Sequence, residues 1–113
     1  MYAESEFSSD SEFRLKVIED LEELLDQIDD LDVDNFDSRL LPGNLSITFD
    51  DGRVILLSQQ TPTHEIWLSA NYNAWHFVSR NAVWLERDSG QEMVKILSDL
   101  LTKTLNVDVV LEL

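Results

Sequence analysis

The sequence predicts an α+β fold: a two-layer α/β sandwich with an N-terminal and a C-terminal helix on one face of an antiparallel sheet of about five to six strands. Apolar residues recur at steps of three and four near both ends of the chain, whereas apolar and polar residues alternate in its middle. Nothing in the sequence provides a parallel crossover. The 113 residues, 43% of them hydrophobic, suffice for a single domain spanning residues 1–113 with one core. We expect residues 1–9 to be a poorly ordered extension.

The first helix is predicted from an amphipathic stripe that begins shortly after residue 10. Ser9 followed by Glu12 has the spacing of a capping box at the start of a helix. The apolar positions that would face the sheet are Phe13, Val17, Leu21, Leu24, Ile28 and Leu31.

The strands are predicted from alternation and turn residues. Residues 45–49 alternate, Asp51 and Gly52 form a hairpin turn signal, and residues 54–57 return as an apolar run. Pro62 makes residues 59–63 a turn or an edge. Three more short strands are predicted in meander order at residues 65–70, 75–79 and 83–87.

The second helix is predicted to open with another capping box, Ser89 and Glu92. Its apolar stripe consists of Met93, Ile96, Leu97, Leu100, Leu101 and Thr104. The apolar tail, residues 107–113, should dock on the fold. With both helices on one sheet face, the other face is open to water or to a partner.

The charge is strongly negative and unevenly distributed. Asp and Glu number 23 and Lys and Arg 8, a formal net charge of -15. Residues 1–37 hold 14 of these acids and only two bases, Arg14 and Lys16. Such a field repels phosphate backbones, so nucleic acid is the least expected partner, and metal ions or basic proteins are the most expected ones.

Other functional classes are excluded by what the composition lacks. There is no cysteine, which removes a disulfide framework, a thiolate nucleophile and a cysteine-ligated cluster. The N-terminus has no apolar run of a signal peptide, and no window approaches the roughly 20 apolar residues of a membrane span. We therefore expect a cytoplasmic protein that does not enter a membrane.

Most of the charge falls on one side of the first helix. Six carboxylates lie within roughly 120° of one another on a helical projection, and we call them the acidic ridge: Glu19, Glu22, Glu23, Asp26, Asp29 and Asp30. Asp32, Asp34 and Asp37 extend the ridge beyond the helix end. The ordinary interpretation is a solvated helix face. Against it, like charges at these spacings destabilise a helix by about 0.2–0.5 kcal/mol per pair, and the helix dipole opposes acids in this half.

Clustered carboxylates without cysteine or adjacent histidine are hard oxygen donors. They suit magnesium, calcium, manganese and ferric iron, and they hold ferrous iron weakly. A calcium-binding EF-hand loop starting at Asp30 is excluded, because its sixth position would be Asn35 and its twelfth Leu41. The sites should be exposed, shallow, multiple and weak.

The remaining candidates are aromatic. His64 is interpreted as a surface residue and His76 as a half-packed strand residue, and neither completes a ligand set. No side-chain arrangement for catalysis is found. Trp67 alternates with Ile66 and Leu68, so it should point to water as part of a protein-binding patch, unless a loop covers it.

These features together resemble the frataxin family, in its bacterial branch, over nearly the whole chain. The resemblance is carried by the acidic first helix and by the motifs Gln60-Thr61-Pro62, Ile66-Trp67-Leu68, Trp75-His76-Phe77, Trp84 and Ser89-Gly90-Gln91-Glu92. It implies the two-layer sandwich predicted above. It also implies ferrous and ferric iron binding through carboxylates, other hard cations being possible, and action in iron-sulfur cluster assembly by docking on the cysteine desulfurase.

Carried over by position, the resemblance gives candidate iron ligands at Asp26, Asp29, Asp30, Asp32, Asp34 and, on the first edge strand, Asp37. The ridge itself adds Glu19, Glu22 and Glu23. The candidate partner-binding residues are Gln59, Gln60, Trp67, Asp29 and Asp30. Two departures are Gln59, where the family often has a basic residue, and Arg39, where an acid would extend the cluster.

The leading hypothesis is an iron donor or sensor that regulates the desulfurase and also contacts the iron-sulfur scaffold protein, as a monomer when iron is absent. One alternative is an acidic protein-interaction module with no physiological metal. Another is a weak ferroxidase acting at the same ridge.

Overall fold

The structure is a computed structural model that describes residues 5–113. It contains two helices and a six-stranded antiparallel sheet whose strands neighbour each other in sequence order. The elements are α1 (Asp10–Asp29), β1 (Phe36–Leu41), β2 (Asn44–Phe49), β3 (Val54–Gln60), a 3₁₀ turn (Thr61–Thr63), β4 (Glu65–Ala70), β5 (Asn73–Arg80), β6 (Val83–Glu86) and α2 (Met93–Leu105). The predicted fold class is confirmed.

The two helices bury their apolar stripes against one face of the sheet. Five of the six apolar positions predicted for α1 are buried: Phe13, Val17, Leu21, Leu24 and Ile28. The sixth, Leu31, is half-buried. The apolar positions of α2 and of the facing strands complete the core with Met93, Leu97, Leu101, Leu45, Ile47, Leu57, Ile66, Leu68 and Phe77. In the part of the chain that the structure describes, no helix lies on the opposite sheet face, as predicted.

The first helix ends earlier than its apolar pattern suggests. Its last helical residue is Asp29, Asp30 is the cap, and Leu31 is half-buried in the loop that follows. The first strand, β1, is an edge strand in which half-buried and exposed residues alternate. The bounds of this strand are not predictable from the sequence, because only every second residue is partly buried.

The two capping predictions have different outcomes. At α1, the backbone N–H of Glu12 donates to Ser9 Oγ at 3.1 Å, but the Glu12 carboxylate accepts from the backbone of Ser8 instead of Ser9. At α2, the predicted box is wrong. The cap is Glu92 without a side-chain hydrogen bond, and a β-bridge from Glu92 to Leu85 keeps the backbone extended up to Met93.

Residues 5–9 have defined contacts, in contrast to the poorly ordered extension expected for residues 1–9. The Phe7 ring meets the Phe13 ring edge-on with centroids 5.6 Å apart. The Glu6 carboxylate accepts hydrogen bonds from Ser79 Oγ at 2.5 Å and from the backbone N–H groups of Asn81 and Ala82 at 2.7 and 3.1 Å. Glu6 thus binds the turn between β5 and β6. Residues 1–4 lie outside the described residues.

These contacts make Glu6 a pH-dependent element of stability. The hydrogen bond from Ser79 is the largest cause that lowers the pKa of Glu6 below its ordinary value, with the turn amides adding to it and partial burial opposing it. A carboxyl whose folded-state pKa is lowered stabilises the fold above its unfolded pKa, and loses this contribution as pH falls through the folded pKa.

We therefore expect Glu6→Gln to lower the free energy of unfolding at pH 7 by up to about 1 kcal/mol, the modest size reflecting exposure. In denaturant titrations the difference from the native chain should vanish in acid. Glu19→Gln, which makes the same charge change on α1, should not reproduce the loss. A deficit of equal size at both pH values would contradict this account.

The C-terminal tail docks on the helices, as predicted. Val109 and Leu111 are buried, and the Leu111 N–H donates to Ser98 Oγ on α2 at 2.9 Å. Gln27 on α1 exchanges two hydrogen bonds with the backbone of Glu112, at 2.6 and 2.9 Å. The tail therefore contacts both helices and links them to each other.

Candidate functional site

The acidic ridge lies along the solvent side of α1, and all six of its carboxylate residues are exposed. The neighbouring acid Asp20 is different: its carboxylate pairs with Lys16 Nζ at 2.9 Å and accepts from Trp84 Nε1 at 2.7 Å. Asp20 is therefore a structural residue that joins α1 to β6. No base follows Lys16 on α1 to neutralise the ridge.

Two ridge carboxylates have side-chain hydrogen bonds. Asp29 Oδ1 accepts from Ser38 Oγ on β1 at 2.5 Å. Glu23 Oε1 accepts from Gln27 Nε2 at 3.0 Å, one helical turn along. The ridge is thus anchored to the edge strand at its C-terminal end. No local sequence pattern indicates the Asp29 contact, because Asp29 and Ser38 belong to different elements.

The three acids beyond the helix lie in the loop after α1 and on the first strand. Asp32 and Asp34 are exposed in the loop between α1 and β1. Asp37 is exposed on β1, where it pairs with Thr48. Since Ser38 points toward α1, strand alternation turns Asp37 to the open sheet face. Asp37 thus lies on the edge strand next to Ser38, which contacts the ridge, but on the other face of the sheet.

The ridge is a surface of separate carboxylates. Within residues 5–113, no group of three or more His, Cys, Asp or Glu side chains is arranged to hold a metal ion. The chemistry of the donors still suits hard cations, since every ridge side chain ends in carboxylate oxygens. A cation bound by one or two of them would complete its coordination with water.

The contact from Ser38 separates the effects of two neighbouring acids on folding. Asp30 caps α1 at the negative end of the helix dipole, so Asp30→Asn should raise the free energy of unfolding of the metal-free protein by about 0.5 kcal/mol. Asp29→Asn relieves similar repulsion but weakens a charged hydrogen bond, so it should stabilise less or destabilise. Thermal melts of both variants in chelator test this order, and a larger gain from Asp29→Asn would contradict it.

The open sheet face carries an exposed aromatic residue, Trp67, which is 38% exposed. No loop within residues 5–113 covers it, so the alternative of a covered tryptophan is wrong. Its ring stacks on His76, with centroids 4.4 Å apart and planes inclined by 22°. Its Nε1 donates to Glu65 Oε1 at 2.9 Å. Glu65, only 1% exposed, also accepts from Thr63 and Arg87. Trp67 is thus held in one orientation.

The two glutamines expected beside Trp67 lie on different faces. β3 continues to Gln60, which pairs with Glu65, while Gln59 pairs with Ile66. Gln60 therefore shares the face of Trp67, and Gln59 points to the helix side, where its amide donates to Thr61 Oγ1 at 3.1 Å. The grouping of Gln59 with Trp67 is corrected, because the strand alternation persists through residues expected to form a turn.

The histidines also separate. His76 is half-buried in β5, as predicted, against Trp67. His64 is not a free surface residue: its side chain is 14% exposed, and its Nε2 lies 2.7 Å from Asp10 Oδ1. The His64 ring stacks on Phe13 at 4.8 Å. The sequence feature that could have indicated this position is the Pro-containing turn Thr61–Thr63 before it. His64 ends that turn with a left-handed φ of 52°, and the chain then enters β4.

An acidic helix on the closed side of a two-layer sandwich and an aromatic patch on its open side define a frataxin-like protein. A family model described as a frataxin-like domain matches residues 3–107, so the chain belongs to the frataxin family. The iron-sulfur cluster assembly protein CyaY of Tolumonas auensis is 34% identical over 95 residues, covering 83% of this chain and 89% of that protein.

Other relatives and a solved structure agree. CyaY of Neisseria meningitidis serogroup B is 34% identical, covering 90% of this chain and 89% of that protein. CyaY of Ralstonia nicotianae is 33% identical, covering 96% and 93%. The solved frataxin of Psychromonas ingrahamii has the same fold, with a TM-score of 0.84 at 24% identity over 90% of this chain and 96% of that one. No helix among residues 5–113 combines the length and apolar character of a membrane span.

Proposed function

We propose that this protein acts in iron-sulfur cluster assembly, binding iron as a donor or sensor and regulating the cysteine desulfurase. The observation that carries the proposal is the acidic ridge, six exposed carboxylates on one helix face with no base following Lys16 on that helix. Membership in the frataxin family and the name shared by the CyaY relatives support it.

Iron is the cargo in this proposal, and it is held weakly. The proposed ligands are the ridge carboxylates Glu19, Glu22, Glu23, Asp26, Asp29 and Asp30, with Asp32, Asp34 and Asp37 as further sites. Exposed carboxylates compete with water for each coordination position, so ferric iron should bind more tightly than ferrous iron and both should exchange readily. Weak binding suits a protein that passes iron on or reports its concentration.

Docking on the desulfurase is proposed to depend on the negative charge of the acidic ridge. A ridge of one sign attracts a basic surface over about one Debye length, roughly 10 Å at 0.1 M salt, and speeds association. Asp29 and Asp30 are proposed to contact the partner directly. Trp67 and Gln60 on the open sheet face offer a second contact, to the desulfurase or to the scaffold protein. The proposal places the protein in the cytoplasm, as a monomer without iron.

The experiment that tests the function is a titration of the desulfurase reaction with this protein, with ferrous iron and with chelator, at increasing salt. The proposal expects the rate of sulfide release to change with saturation, the change to depend on iron, and the effect to fade as salt rises. A rate that stays at the level of desulfurase alone would overturn it.

One outcome of that titration and one separate assay lead to the alternatives. An equal effect with iron and with chelator would identify an acidic interaction module without a physiological metal. Oxygen consumption above the buffer rate when ferrous iron is added, lost in a variant with Asp29→Asn and Asp30→Asn, would identify a ferroxidase.

A further inference from the structure

An apolar groove lies between α1 and the hairpin of β1 and β2, next to the acidic ridge. It has a volume of about 260 Å³ and is lined by the apolar residues Ile18, Leu21, Leu40, Leu41 and Pro42, together with Glu22 and Gly43. Ile18 is 40% exposed and Leu41 52% exposed. Large apolar side chains from two different elements are thus presented to solvent at one place.

The size and lining of the groove restrict what it can hold. Small-molecule sites usually span about 300–1,000 Å³ and combine apolar walls with several convergent polar groups. This groove is smaller, and Glu22 is its one charged lining residue. It fits one or two apolar side chains of a protein better than a cofactor, and Glu22 alone gives it too few ligands to enclose a metal ion.

The surrounding charge specifies the kind of protein. Glu19, Glu23 and Asp26 lie within about one helical turn of Glu22, and all three are exposed. Between residues 17 and 52 the sequence has one base, Arg39, on the open sheet face. A second copy of this chain would bring two ridges together, which like-charge repulsion opposes. A segment with Lys or Arg around an apolar side chain is complementary.

We propose that the groove anchors an apolar side chain of a basic segment of the partner protein, whose Lys and Arg side chains lie against the acidic ridge. The inference rests on the proposed docking of the ridge on the desulfurase and adds an apolar contact to it. Charged contacts at the rim of an interface govern the association rate, whereas a buried apolar anchor governs dissociation. The two contributions are therefore separable by kinetics.

The test measures association and dissociation rates of the desulfurase with full-length variants. Leu41→Thr on the edge strand β1 and Ile18→Gln on α1 should each raise the dissociation rate by about fivefold to tenfold, with the association rate and its salt dependence unchanged. Val83→Thr is the matched control, an apolar residue 39% exposed on the opposite edge strand β6. It should leave both rates unchanged, and thermal melts should show all three variants folded.

The outcomes separate the groove from the function it rests on. If the native chain binds the desulfurase in a salt-sensitive way but neither groove variant changes the dissociation rate, the groove inference is overturned and the docking stands. If the native chain does not bind, the proposed function fails first. Self-association of the native chain in sedimentation, abolished by Leu41→Thr, would assign the groove to a second copy and also overturn the inference.

Discussion

Replacing Glu19, Glu22 and Glu23 together by Gln is expected to lower the rate of association with the cysteine desulfurase by about tenfold at low salt. The three carboxylates lie on the exposed side of α1 without a compensating base, and they supply part of the field that steers a basic partner. The loss should shrink as salt rises, because screening weakens the same field in the native chain. Stopped-flow association at several ionic strengths measures both effects.

The control for this variant makes the same change in net charge elsewhere. Glu92→Gln, Asp99→Asn and Asp108→Asn remove three exposed acids at the start of α2, on α2 and in the tail. If the partner responds to the ridge, this control should associate nearly as fast as the native chain. Equal losses in both triple variants would mean that only total charge matters, which contradicts a localised docking surface.

Replacing Trp67 by Ala should weaken binding to the desulfurase or to the scaffold protein by tenfold or more, in the manner of an aromatic anchor at the centre of an interface. The ring is 38% exposed, stacked on His76 and fixed by its hydrogen bond to Glu65. Little conformational freedom is therefore lost when a partner covers it. Calorimetric titration of each partner measures the change in affinity.

Stability and binding must be separated for this variant. Glu65 is almost fully buried and loses one of its donors when Trp67 is removed, which should cost about 1 kcal/mol of unfolding free energy. Trp67→Phe has the same lost donor but retains a ring that can stack on His76. It should therefore share the stability loss and preserve most of the affinity. Equal affinity losses in the Phe and Ala variants would contradict an apolar contact.

The fold was predictable where periodicity and burial agree. The stripe on α1 reads as a helix because its apolar residues recur at the helical period and all five from Phe13 to Ile28 are buried. The consecutive antiparallel strands from β2 to β6 are predictable from the alternation of apolar and polar residues and from the turn residues between them. Prediction was wrong where contacts distant in sequence decide. The β-bridge between Glu92 and Leu85 replaces the capping box predicted at the start of α2. The turn between β5 and β6 binds Glu6, in a segment expected to be poorly ordered.

The candidate site shows the same division. The ridge follows from helical geometry alone, so its six members were predictable as one exposed face. The direction of a side chain on a strand depends on register, and a strand that runs one or two residues beyond its expected end changes the result. Gln59 therefore lies on the helix side instead of beside Trp67. Asp37 lies on β1, for which the sequence pattern gives no bounds, and its register places it on the open sheet face. The Asp29 contact with Ser38 depends on how α1 crosses β1, which no local pattern encodes.

The central claim, that the acidic ridge and the loop after it bind iron, is tested most directly by NMR of the isotope-labelled protein titrated with ferrous and then ferric iron. The account predicts that backbone signals of residues 26–34 broaden first, that the melting temperature rises, and that Asp26→Asn with Asp30→Asn suppresses both changes. Unchanged spectra, or broadening that begins at Glu65 and His76 on the open sheet face, would contradict it.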